Sequence, residues 1–289
     1  MSATSLPVTG TSSRAGGERS RLKEAADAVG ATLRSCTMIA INIIETALIV
    51  AAAVLIAAAI RSRGRAGMML LSAGLLSVLI VLALQINSEW MTDLDTSVRK
   101  WFTTHEGSKG LRNASRQLFA FIGRPLHVAI AAVLSGMLLA WKARSPLRAV
   151  VVIGAVGTGA LLERVFKALV TRTPDNLSKL YDASPQDLAQ ITEHAHTFPS
   201  GHVIGTATLL GMIAVCASVG RRLPARTTWA AFVLLGVLFV AALALFVHAH
   251  LFADVIAGLA LGGSIVAAGS ALIDALHPIE RRKRPTLGR

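Results

Sequence analysis

Charge is scarce in this sequence: only 16% of its 289 residues are Asp, Glu, Lys or Arg, against roughly 25% in a soluble domain. Aromatic residues make up 5%, with a single tyrosine. A surface wetted on all sides needs more charge than this, which argues against a soluble helical bundle with a greasy core. Only two cysteines occur, Cys36 and Cys216, far apart and both at or inside apolar stretches. Nothing in that placement points to a disulfide framework or a thiolate metal site. No internal repeat is visible, so the signature of an inverted-repeat transporter is missing.

What is abundant is uninterrupted apolar chain. Hydrophobic residues make up 53%, and several runs reach the roughly 20 residues that cross a hydrocarbon core as a helix. The longest are Cys36 to Ile60, Gly67 to Asn87, Pro125 to Trp141, Ala149 to Val170, His202 to Gly220, Thr228 to Val247 and Leu251 to Ile273. The expected fold class is therefore all-α, a polytopic transmembrane helical bundle. The first run is too long for a signal-peptide core and is read as a membrane helix. The polar residues before it read as a disordered tail.

The net charge of +13 invites a nucleic-acid reading, but its distribution opposes one. Basic residues cluster at Arg61, Arg63 and Arg65, at Lys142, Arg144 and Arg148, at Arg221, Arg222 and Arg226, and at Arg281, Arg282, Lys283 and Arg284. Each cluster abuts an apolar run, as expected of cytoplasmic loops. Counting back from a cytoplasmic C-terminus puts Ser88 to Arg124, Thr171 to Gly201 and the junction near His250 outside. Seven spans then put the basic N-terminal tail outside as well, unless the first run, with its Asn42 and Glu45, does not fully span. Between Asp95 and Phe121 the apolar residues Val98, Trp101, Phe102, Leu111, Leu118 and Phe119 recur at near-helical spacing. That pattern reads as a helix lying in the membrane interface, with a plain connecting loop as the alternative.

Three polar stations fall on the outer side. Lys167 ends one apolar run and is followed by Arg172 and Pro174; Pro199-Ser200-Gly201-His202 opens the next; His250 and Asp254 begin the last. A Ser-Gly pair at a helix N-terminus offers unpaired N–H groups and a hydroxyl to an anion. Lys and Arg supply countercharge to phosphate. His250 and Asp254, four apart on a helix, share a face, so the carboxylate can hold one imidazole nitrogen and leave the other free as a nucleophile. His202 could then protonate a leaving oxygen. The repeated His-Ala-His, at His194 to His196 and His248 to His250, admits a metal reading with Glu193, although no nearby cysteine or further acidic residue completes a set.

These stations, in this order, resemble the type-2 phosphatidic acid phosphatase and vanadium haloperoxidase superfamily over roughly Asp95 to Gly262. Thr197-Phe198-Pro199-Ser200-Gly201-His202 matches that family's second motif, and His250 through Asp254 to Gly258 matches the end of its third. Asp95, Trp101 and Gly123 resemble its pattern ahead of the core helices. The resemblance implies a six-helix phosphatase-like core plus one N-terminal apolar helix. In chain order this gives a tail (1–35), two transmembrane helices (36–87), an extracytoplasmic interfacial segment (88–124), the core (125–274) and a basic cytoplasmic tail (275–289). It implies His250 as nucleophile, Asp254 orienting it, His202 as general acid, and Lys167, Ser200 and Gly201 binding phosphate, with no metal or other cofactor needed. Two departures stand out. Pro174 and Asp175 occupy the positions of the first motif's Arg-Pro pair, leaving Arg172 as the nearest guanidinium and a stand-in phosphate ligand. Leu243 and Ala244 occupy the positions of the third motif's Ser-Arg pair, so a phosphate-binding Arg is missing.

The expectation is a lipid phosphate or diphosphate phosphatase of a bacterial cytoplasmic membrane, facing outward, with phosphatidic acid or a polyprenyl diphosphate as substrate class and no nucleic-acid partner. The alternative is a member that keeps the fold and binds lipid phosphate or a protein partner without turnover. The missing Arg supports that alternative, and the intact His202, His250 and Asp254 oppose it. A transporter or a structural membrane protein is the third reading, and Glu163 with Arg164 is the charged pair nearest to what transport would need.

Overall fold

The computed structural model describes residues 43–182 and 191–283. The chain divides into two compact units, Met1–Ala47 and Leu48–Arg289, and the architecture below is that of the second. The N-terminal tail and the start of the first apolar run lie outside the described residues, as do the side chains of the C-terminal basic cluster.

The described residues form helices and turns, with no strand among them. Long apolar helices are α1 (Ile43–Arg61), α2 (Gly64–Gln85), α5 (Pro125–Ala143), α6 (Leu147–Leu169), α8 (Gly201–Ser218), α9 (Leu223–Phe246) and α10 (Phe252–Lys283). Each of these seven is long and apolar enough to cross a membrane. Their outer faces carry large exposed apolar side chains, among them Leu134, Trp141, Leu169, Leu235 and Phe239. Such a surface is at home only in lipid, and the protein is an integral membrane protein.

Helix α8 is the hub, packed against α5, α6, α9 and α10, while α2 lies along α10. Close approach of α8 and α10 depends on small residues. A Cβ at Gly258 would lie 2.9 Å from the Ser200 carbonyl oxygen, and one at Gly262 would lie 2.6 Å from the Ala207 Cβ. The alternation of spans brings the α1–α2, α5–α6 and α8–α9 connections, with their basic clusters, to one end. An Arg148 Nη1 bond to the Cys216 carbonyl oxygen (2.7 Å) ties two of those connections together.

The remaining helices cluster at the opposite end: α3 (Glu89–Thr104), α4 (Lys109–Ile122) and α7 (Pro174–Tyr181), with a 3-10 turn at Thr192–His196. The single helix expected between Asp95 and Phe121 is in fact two, α3 and α4. Gly107 falls in the break, and Ser108 starts the second helix as N-cap, its hydroxyl accepting the Leu111 N–H at 3.3 Å. The polar stretch after Lys167 likewise gains a helix, α7. Asn176 of α7 donates to Thr92 of α3 through its side-chain amide.

Candidate active site

The site is assembled where α6 ends and α8 and α10 begin. Lys167 lies in the last turn of α6, a position favourable to a cation because the helix carbonyls point that way. Its Nζ is 2.6 Å from Glu163 Oε1, one turn earlier on the same face. Ser200 is the N-cap of α8 and is fully buried. Its own N–H donates to the Asp254 carbonyl oxygen (3.0 Å), which locks the starts of α8 and α10 together. Among the described residues, the Ser200 hydroxyl has no hydrogen-bond partner.

His202, in the first turn of α8, lies flat on Phe119 of α4, with ring centroids 3.9 Å apart and planes 8° from parallel. Its other flank rests on Gly123, where a Cβ would fall 1.6 Å from the imidazole Cδ2. Only glycine leaves room for this ring. His250 sits in the short α9–α10 connection, its ring centroid 6.1 Å from that of His202. The same connection is turned by His248, which has a positive φ of 56°. His248 Nε2 is 2.9 Å from Glu106 Oε1 in the α3–α4 connection, and Glu106 also pairs with Arg112.

Asp254 occupies the third position of α10. Its Oδ2 accepts the Leu251 N–H at 3.1 Å, the reciprocal half of a capping arrangement. The same oxygen lies 3.6 Å from His250 Nδ1, within ion-pair range although longer than a hydrogen bond. This leaves His250 Nε2 as the ring nitrogen turned away from the carboxylate.

Arg172 is where geometry and sequence part. It was expected among the phosphate ligands as substitute for the displaced Arg-Pro pair. Instead its side chain is completely buried against Asp254. One terminal nitrogen donates to Asp254 Oδ1 (2.9 Å) and to Thr197 Oγ1 (3.1 Å), the other to Asp95 Oδ2 (3.1 Å). With two carboxylates around it, the guanidinium serves as a bracket for Asp254. Burial works against its charge, but Asp254 and Asp95 outweigh that and keep its pKa above the usual value.

Asp95, on α3, closes the same bracket. Its Oδ1 accepts the Ala253 N–H at 2.8 Å, so it caps α10 from another helix. Burial pushes its pKa up to about 6, with Arg172 pulling the other way.

The position of the missing third-motif Arg is equally definite. Ala244 is fully buried in an apolar cluster with Phe119, Val203, Val240 and Val255. No cation reaches the site from there. Of the sequence-selected residues, Lys167, Ser200, Gly201, His202, His250 and Asp254 converge on one end of the bundle, whereas Arg172 stands behind them. The His-Ala-His pairs do not form a metal centre among the described residues: no group of three or more His, Cys, Asp or Glu is placed to hold an ion. The side chains of Glu193 and His194 lie outside the described residues. In sequence Phe119 belongs to an apolar stripe whose spacing carries no sign of the imidazole it stacks on. Glu106 carries no motif signal, and only the fold brings it to His248.

Residues 147–277 match the family model of the PAP2 superfamily, and the matched region contains all of the stations from Lys167 to Asp254. A solved structure with a similar fold is the transmembrane PAP2-type phosphatidylglycerolphosphate phosphatase from Bacillus subtilis. The TM-score is 0.54 at 17% identity, covering 74% of this chain and 98% of that one. Among curated proteins, none matches the sequence.

Proposed function

We propose that the protein is a membrane lipid phosphate or diphosphate phosphatase that works through a phosphohistidine. The observation that carries this reading is the facing pair His202 and His250, 6.1 Å between ring centroids, with Asp254 behind His250. In the reaction, His250 Nε2 attacks phosphorus and the bond to the leaving oxygen breaks, while His202 delivers its proton to that oxygen. Water then attacks the phosphohistidine, giving its proton back to His202 and freeing phosphate. Asp254 keeps a proton on the His250 nitrogen facing it and supports the positive charge that develops on the ring. Lys167, the Ser200 hydroxyl and the first-turn N–H groups from Gly201 onward bind the phosphate oxygens. Arg172 acts through Asp254.

A lipid substrate is supported by a cavity of about 450 Å³ beside the site. It is lined by Ile122, Val128, Thr206, Leu210, Gly236 and Phe239, among others. This apolar space runs along α8 from Thr206, one turn beyond His202, to Leu210 and suits a hydrocarbon chain. Phosphatidic acid and polyprenyl diphosphates are the substrate classes, met at the outer leaflet of a bacterial cytoplasmic membrane.

A second reading has its own observation. Ala244 supplies no guanidinium, and both terminal nitrogens of Arg172 are committed to Asp254 and Asp95, so the site holds one lysine where the family's motifs carry additional arginines. A member that binds lipid phosphate without turning it over fits that poverty of charge. The deciding experiment is phosphate release by purified protein in detergent and EDTA, against phosphatidic acid and a polyprenyl diphosphate, with His250→Ala as control. Release that disappears in a normally melting His250→Ala protein supports the phosphatase. No release by well-folded wild type moves the reading to binding.

A further inference from the structure

The phosphate seat is bounded by the Lys167 ammonium and the start of α8, and both already face an anion of the chain itself. Glu163 lies four residues before Lys167, so the two share a face of α6. A Glu–Lys pair of this kind can remain on its own helix. Here the carboxylate also leans across to α8. A Cβ at Gly201 would fall 2.2 Å from Glu163 Oε1 and 2.4 Å from both Cδ and Oε2. The whole carboxylate therefore rests on one Cα at the helix terminus where N–H groups are unpaired and the dipole favours negative charge. Ser200, the N-cap beside it, is fully buried, with its hydroxyl unpartnered among the described residues. Glu163 is partly exposed, at 23% of its side chain, so it can swing away.

We propose that Glu163 sets the affinity of the phosphate seat: its carboxylate occupies the place of phosphate oxygens between Lys167 and Gly201, and any phosphate ligand has to displace it. This rests on the phosphatase reading above, because it takes the seat to be a phosphate site. The cost of displacement falls on the protein and not on a particular ligand. Affinity is then reduced by the fraction of molecules with the carboxylate withdrawn, equally for every ligand of the seat. Neutralising Glu163 should tighten inorganic phosphate and a lipid phosphate by the same factor. For loss of one charge-assisted contact that factor is on the order of 10.

The test compares wild type with Glu163→Gln, which keeps the shape and removes the charge, and with Glu163→Asp, which is one methylene shorter. Two quantities are read in detergent: the dissociation constant of inorganic phosphate, by phosphorus NMR titration, and KM for phosphatidic acid. Both should fall by a similar factor of roughly 10 in Glu163→Gln, with a smaller fall in Glu163→Asp because the shorter acid meets Gly201 less closely. Melting temperatures, measured alongside, separate this from damage to the fold. Equal or weaker phosphate binding by well-folded Glu163→Gln would overturn the proposal and leave Glu163 as a support for Lys167. Tightening confined to one of the two ligands would overturn it as well. If wild type and variants all fail to bind phosphate and to release it from lipid, the phosphatase reading fails first and this inference goes with it.

Discussion

Replacing Arg172 by Ala separates the structural account of this residue from the one its sequence position suggests. In the structure, the change leaves Asp254 and Asp95 facing the vacated space with 0% and 1% side-chain exposure and no cation. Breaking a buried ion pair by removing one partner costs about 3–5 kcal/mol. Asp95, whose pKa burial already lifts to about 6, can relieve part of this by taking a proton, so the lower end of that range applies. About 3 kcal/mol corresponds to a melting temperature lower by about 10 °C in a chain of this size. With Asp254 unbracketed, the imidazole loses its fixed support and kcat should fall by two to three orders of magnitude, short of the roughly 10⁴-fold seen when a triad carboxylate is itself replaced. KM should change little. Arg172→Lys restores charge but not the fork that reaches both carboxylates at once, and should recover only part of the stability. The assays are thermal unfolding in detergent and steady-state phosphate release. An Arg172→Ala protein with wild-type melting, intact kcat and a KM raised tenfold would refute this account and return Arg172 to the phosphate ligands.

Gly123→Ala should drive the His202 ring off Phe119, because the added Cβ would lie 1.6 Å from it. A fall in kcat is expected, with about 1–3 kcal/mol lost from stability, read by the same two assays. Ala244→Arg, which the motif comparison recommends as a way to restore a guanidinium, should instead lower the melting temperature and give no added turnover. Its position is fully buried among Phe119, Val203 and Val255, and an unpaired charge there has no partner. Asp95 makes stability depend on pH with a definite sign. Burial lifts its pKa in the folded protein to about 6, above the ordinary carboxylate value of 3.8. The folded state therefore binds more protons in between, and the contribution present below about 4 is lost as pH rises through about 6. Melting curves of wild type and Asp95→Asn should diverge across that window and run parallel above it.

The bundle was legible in the sequence because membrane insertion depends on a one-dimensional quantity, the length of apolar chain. Each of the seven runs corresponds to a helix with ends displaced by up to about five residues, apart from the first, whose beginning at Cys36 lies outside the described residues, and the last, whose helix continues past Ile273 to Lys283. The break between α3 and α4 was missed because Gly107 and Ser108 interrupt a pattern that remains near-helical on either side. Local chemistry was legible too. Ser200, Gly201 and His202 are contiguous at a helix start, and His250 and Asp254 are one turn apart, so backbone geometry alone brings them together.

Contacts that join distant elements were not. Asp95 caps α10 at Ala253, 158 residues away in the chain, Phe119 carries the His202 ring, and Glu163 reaches Gly201 from another helix. Arg172 shows the reason most plainly. A guanidinium five residues beyond Lys167 reads the same in sequence whether it faces a phosphate or two aspartates. Only the packing of α3, the α6–α7 connection and α10 places Asp95 and Asp254 around it. Once they are there, a buried cation between two buried carboxylates has no lower-energy place to go.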